Sequence, residues 1–75
     1  MKIKITYCAV WNYEPRAAGL ADLIKKETGF TPTLEPGSNG IYDIKAGETL
    51  VYSKHKSGRF PENDEIITKI KTLES

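Results

Sequence analysis

Lys2-Ile3-Lys4-Ile5-Thr6-Tyr7-Cys8-Ala9-Val10-Trp11-Asn12-Tyr13-Glu14-Pro15-Arg16 changes period in its middle. From Lys2 to Tyr7, the apolar Ile3, Ile5 and Tyr7 alternate with Lys2, Lys4 and Thr6. A period of two predicts a strand with one covered face. From Arg16 onward, Ala17, Leu20, Ala21, Leu23 and Ile24 recur at three- and four-residue spacing, with Asp22, Lys25, Lys26 and Glu27 between them. That is the stripe of an amphipathic helix. Pro15 suits its first turn, where a missing N–H costs nothing. Gly29, just after Lys25 and Lys26, reads as its stop. Gly19 inside the helix costs up to about 1 kcal/mol relative to Ala, and marks either close packing on the sheet or a neutral accident.

Cys8 to Asn12 is then the connection between strand and helix. It holds the only cysteine and the only tryptophan, and Tyr7 and Tyr13 flank it. A thiol in that place meets the positive end of a helix dipole and backbone N–H groups without partners, conditions that favour the reactive thiolate. The placement predicts a Cys8 that alkylates faster than free cysteine. The alternative is a small buried hydrophobe at a strand end.

Further along, Phe30 to Glu35 reads as a second strand, with Phe30 and Leu34 on one face. Pro32 cannot donate to a ladder, which places this strand at a sheet edge. Strand, helix, strand implies a right-handed unit with parallel strands. Pro36-Gly37-Ser38-Asn39-Gly40 is a turn cluster. Ile41 to Lys45 and Glu48 to Ser53 form a hairpin about Ala46-Gly47. Ile41, Tyr42, Ile44, Leu50, Val51 and Tyr52 are apolar at neighbouring as well as alternate positions, as in central strands covered on both faces. Lys54-His55-Lys56-Ser57-Gly58-Arg59 is a basic loop. A second helix follows, opened by Pro61 or capped by Asn63, with Ile66, Ile67, Ile70 and Leu73 as its stripe.

The 75 residues make one domain, 1–75, that buries about 60–65% of its unfolded surface and is stable by about 4–11 kcal/mol. A single cysteine forms no internal disulfide, which fits a reducing compartment. The alternating N-terminal residues lack the apolar run of a signal peptide, and no run approaches the roughly 18 apolar residues of a membrane span. The expectation is a cytoplasmic protein without a membrane. Eleven basic residues stand against ten acidic ones, and no strand is both basic and aromatic-rich, which argues against nucleic acid as a partner. With one Cys and one His there is no metal cluster. His55 reads as a solvated loop residue; a Cys8–His55 dyad would rest on residue type alone. Lys54, Lys56 and Arg59 read as a solvated loop, or as cations that guide an anionic partner.

Tyr7-Cys8, two residues, position 11, then Tyr13 and Pro15-Arg16 resembles the redox motif of the selenoprotein W-like (Rdx) family. That motif is Cys-x-x-Cys or Cys-x-x-selenocysteine, followed by an aromatic and by Lys or Arg. Pro36-Gly37-Ser38-Asn39-Gly40-Ile41-Tyr42-Asp43-Ile44 is similar to the family's glycine-rich turn and following strand. Leu50-Val51-Tyr52-Ser53-Lys54 and Gly58-Arg59-Phe60-Pro61 are similar to its fourth strand and the lead-in to its last helix. The resemblance covers about Lys2 to Leu73.

It implies a small thioredoxin-like α/β (α+β) domain, ordered β-α-β-β-β-α, with a four-stranded mixed sheet and two helices. It implies thiol or selenol redox exchange through Cys8 and position 11, supported by Tyr13, Arg16, Ser38 and Phe60, in a monomer. No cofactor is implied; glutathione or protein thiols are the partners. Position 11 is Trp, and an indole cannot resolve a mixed disulfide. As written, the chain could use Cys8 only in a one-thiol cycle completed by glutathione. Trp11 has three readings: a replacement that left a non-catalytic interaction module, a packing residue, or selenocysteine in nature, whose UGA codon neighbours the UGG of tryptophan. As an enzyme, the Trp11 form is an impaired thiol-disulfide oxidoreductase at most.

Overall fold

In the computed structural model, which describes residues 2–74, the first strand runs Ile3–Cys8 (β1) and is paired along both edges. Met1 and Ser75, the ends of the expected domain, lie outside the described residues. β1 is parallel to β2 (Thr33–Gly37) on one side and antiparallel to β3 (Tyr42–Ala46) on the other. β4 (Thr49–Ser53) lies beyond β3, so the order is β2-β1-β3-β4. The helices are α1 (Glu14–Thr28), α2 (Lys54–Ser57) and α3 (Asn63–Glu74). The mixed four-stranded sheet and the order β-α-β-β-β-α agree with the sequence reading. α2 is one added turn in the stretch read as a basic loop.

The alternation in β1 places Ile3, Ile5 and Tyr7 opposite Ala46, Ile44 and Tyr42 in register. These residues form one core with Ala17, Leu20 and Ile24 of α1 and Ile66, Ile67 and Ile70 of α3. Each large side chain so covered contributes roughly 1.5–3 kcal/mol. The intervening positions of β1 and β3 are Lys4, Thr6, Asp43 and Lys45, the polar face of a sheet covered on one side. Lys4 reaches Glu35 there at 3.6 Å.

Several boundaries differ from expectation. β2 starts at Thr33, not Phe30. Gly29 ends α1 in the left-handed conformation (φ 83°), its N–H bonded to Lys25 O at 2.9 Å. The Thr28 hydroxyl then donates to Ile24 O and accepts from the Phe30 N–H, which holds Phe30 outside any ladder. Pro32 has no N–H to offer, so pairing begins one residue later, and β2 is an edge strand as Pro32 implied.

β4 is also an edge strand rather than a central one. Its consecutive apolar residues come from a bulge. Lys45 pairs with Leu50 and Ile44 with Tyr52, which leaves Val51 as the extra residue. The hairpin turn is Gly47-Glu48, one residue later than expected. α3 starts at Asn63, and Glu62 caps it: the Glu65 and Ile66 amides donate to the Glu62 carbonyl, while the Glu65 carboxylate accepts from the Glu62 N–H at 3.0 Å. The carboxylate on the Glu62 N–H is the Glu half of a capping box; Glu62 itself accepts only through its backbone carbonyl, as in any first helical turn.

Gly19 does not mark close packing, because it is exposed and a Cβ there would meet nothing within 4 Å. Gly19→Ala therefore keeps the helical backbone and removes only the freedom of the unfolded chain. It should stabilise the protein by about 0.5–1 kcal/mol in urea denaturation. A destabilised variant would show that this face of α1 is covered.

Candidate functional site

β1 ends at Cys8, and Ala9–Asn12 turn the chain into α1. The Ala9 N–H donates to Gly37 O (3.3 Å), the Asn12 N–H to Ala9 O (3.3 Å) and the Tyr13 N–H to Cys8 O (3.2 Å). Asn12 takes a left-handed φ of 60°, which Asn tolerates better than most residues. Tyr13 is the N-cap residue of α1, without a side-chain cap bond, and Glu14 sits in the positive first turn.

Exposure separates the two motif positions. Cys8 is 0% exposed, Trp11 is 59% exposed and Val10 is 80% exposed. The sulfur expected at a helix start is thus sealed at a strand end, and α1 opens only at Glu14. The cause is topological. β2 and β3 flank β1 on opposite edges, so the link between them crosses the end of β1. By alternation, Cys8 belongs to the Thr6 face, at the strand end which that link crosses. The rapid alkylation predicted from sequence therefore requires the turn to open.

The crossing link is Ser38-Asn39-Gly40-Ile41. Asn39 and Gly40 have φ of 60° and 72°, and the Ile41 N–H donates to Ser38 O at 3.2 Å. Two successive positive φ values at Asn-Gly define a type I′ turn. The indole of Trp11 lies on Gly40: a Cβ there would stand 2.5 Å from Trp11 Cζ3 and 2.9 Å from Cε3.

Tyr13, Arg16 and Phe60 come together beside Trp11. The Tyr13 ring meets Phe60 edge-on at 4.8 Å, Trp11 at 6.2 Å and Tyr42 at 6.4 Å between centroids. The Arg16 guanidinium lies 4.0 Å over Phe60, and Lys54 lies 5.3 Å from Phe60 and 5.8 Å from Tyr13. These cations rest on ring faces. Ser38 contributes a backbone carbonyl to the turn and is itself exposed. His55 and Lys56 are exposed on α2. Among the described residues, no three His, Cys, Asp or Glu side chains gather as a metal site would need, and no helix is long and apolar enough to cross a membrane.

Sequence reasoning missed Gly40, Tyr42 and Glu14 as parts of the site. The Asn39-Gly40 pair signalled the turn but not what lies on it. Tyr42 is buried and donates to Arg16 O at 3.4 Å, and Tyr7 donates to the Glu14 carboxylate at 3.2 Å. Burial, then the Glu14 hydrogen bond and charge, push the Tyr7 phenol up from its ordinary value.

The family model described as Rdx family matches residues 2–72. Two solved structures are similar along nearly the whole chain. A selenoprotein W-related protein from Vibrio cholerae superposes with a TM-score of 0.90 at 23% identity, covering 96% of this chain and 94% of that one. A protein from Bordetella parapertussis gives a TM-score of 0.91 at 24% identity, covering 96% and 95%. At such identities the likeness carries the fold. No curated protein sequence matches the chain.

Burial pushes the Tyr42 phenol up to about 12, against the pull of the Arg16 guanidinium. The unfolded chain has a tyrosine value of about 10. A raised value contributes stability that is complete below pH 10 and is lost as pH rises through 12. Alkaline unfolding followed at 295 nm should fall in that window, and Tyr42→Phe should remove part of its pH dependence. An unchanged profile in Tyr42→Phe would assign the transition to other groups.

Proposed function

The chain belongs to the selenoprotein W-like Rdx family, and from that premise we propose that it is a thiol- or selenol-dependent redox protein acting through Cys8 and position 11. The observation that carries this reading is the contrast on one turn: a sealed Cys8 beneath an exposed position 11. An exposed residue can meet a bulky disulfide. A sealed thiol can reach only a partner atom delivered beside it. Position 11 is therefore the attacking position and Cys8 the resolving one.

With a thiolate or selenolate at position 11, attack on a substrate disulfide forms a bond to position 11 and releases the first substrate thiolate. The Cys8 thiolate then attacks the position 11 atom, forms the 8–11 bond and releases the second substrate thiolate. Two electrons pass to the substrate, which takes up two protons. Two glutathione thiols, oxidised to their own disulfide, restore the pair. Trp11 carries no thiolate or selenolate for the first step, so this form is impaired. Selenocysteine at position 11 in nature accounts for a tryptophan at the one position where the motif is broken, because UGA and UGG differ by one base.

A second reading, a non-catalytic interaction module, draws on Val10 and Trp11, two large apolar side chains exposed side by side. The two readings part at position 11. Trp11→Cys should form the 8–11 disulfide under mild oxidation, seen as a mass lower by two hydrogens, and should turn over a small disulfide with glutathione. The Trp11 protein and Trp11→Cys with Cys8→Ser should not form that bond. A Trp11→Cys protein that stays reduced under oxidant, together with a UGG codon in the unaltered gene, would leave the interaction module. In the Trp11 protein itself, iodoacetamide should label Cys8 more slowly in the native fold than in urea. Equal rates would show a turn that opens freely.

A further inference from the structure

Gly40 is buried although it sits in a turn, and what covers it is the six-membered ring of Trp11. The ring lies so close that a Cβ on Gly40 would also stand 3.2 Å from Cη2, besides its two shorter contacts. Tyr13 stands against the same indole edge-on, at an interplanar angle of 81°. Neither neighbour depends on Trp11 for its place. The turn is closed by the Ile41–Ser38 hydrogen bond, and Tyr13 is held by Phe60 and Tyr42.

We propose that the bare backbone of Gly40 and the ring of Tyr13 form a slot for a flat apolar side chain of the substrate, next to the reactive atom at position 11. This rests on the exchange reading above. A cysteine or selenocysteine side chain ends one atom beyond Cβ, so with either at position 11 the place of the indole ring is open and its floor and wall remain. The group that enters is flat, because the floor is backbone without a Cβ, and apolar, because it lies between an aromatic ring and the glycine backbone. The substrate class is a peptide or protein disulfide with an aromatic residue beside its cysteine. Trp11 stands where that aromatic would stand.

The test uses Trp11→Cys with hydroxyethyl disulfide and with two peptide disulfides that differ only in Phe or Ala beside the cysteine. The Phe peptide should be preferred about 10-fold in kcat/KM, mostly through KM, as expected for an aromatic group in a shallow pocket. Gly40→Ala in that background should bring the preference to about one, since its Cβ fills the floor; its strain at φ 72° acts on the Phe and Ala peptides alike, so the ratio reads the slot. Hydroxyethyl disulfide reduced, but with Phe and Ala peptides equal, would overturn the slot and leave the exchange reading standing. No reduction of any disulfide would overturn the exchange reading. The slot has its own readout: Trp11→Ala should bind free indole with a shift of the Gly40 amide signal, and a flat titration would overturn it whatever the activity.

Discussion

Between Lys4 and Tyr7 the backbone of β1 is committed on both edges, to parallel β2 on one side and antiparallel β3 on the other. The position of the site follows from this pairing. A strand with two neighbours leaves the sheet only at its end, and the link from β2 to β3 must cross that same end to change sides. Two connections therefore meet above Cys8: Ala9–Asn12, which leads to α1, and Ser38–Ile41, which leads to β3. The Ala9–Gly37 hydrogen bond ties them together. An exposed motif position at the end of a strand whose last residue is buried accompanies this crossing, and each connection turns through one left-handed asparagine, Asn12 and Asn39.

The burial of Cys8 also limits the chemistry. A free cysteine packs as a small hydrophobe, and its reactivity depends on access as well as ionisation. A thiol with no exposed surface is poorly placed to capture a bulky disulfide and well placed to resolve one already attached nearby. Under the proposed exchange, solvent access would set the division of labour between positions 8 and 11. A one-thiol cycle at Cys8, the reading open to the sequence as written, would have to uncover the sulfur at every turnover.

Elements governed by neighbours in the chain were legible in the sequence. The alternation of Ile3, Ile5 and Tyr7, the stripe of Ala17, Leu20 and Ile24, the Gly29 stop and the edge character signalled by Pro32 all lie within a few residues of their cause. What escaped depends on partners distant in sequence. The bulge at Val51 is defined by the pairing of β4 with β3, and it turns an edge strand into what reads as a central one. The link that crosses the end of β1 at Cys8 lies thirty residues further on. The packing of Trp11 on Gly40 could not be read from either residue, although the Asn39-Gly40 pair announced the backbone shape that permits it. Glu65, which had no role in the sequence reading, accepts from the Glu62 N–H at the start of α3 and pairs with Arg59 at 2.9 Å.

The aromatic cluster explains how a loop site on so small a domain can hold a defined geometry. Tyr13 begins α1, Tyr42 lies on β3 and Phe60 precedes α3, so three separate segments meet in one set of edge-to-face contacts. Such pairs contribute about 0.5–1.5 kcal/mol each beyond burial. Arg16 and Lys54 close the cluster from outside with their charges over the rings. The far end of the Ala9–Asn12 turn is therefore anchored at Tyr13 by tertiary packing, and its near end is anchored in the sheet. Only the residues between are free to face solvent, and position 11 is among them. A reactive atom there would be displayed by the loop while its supports stayed fixed, which is the arrangement an exchange site requires.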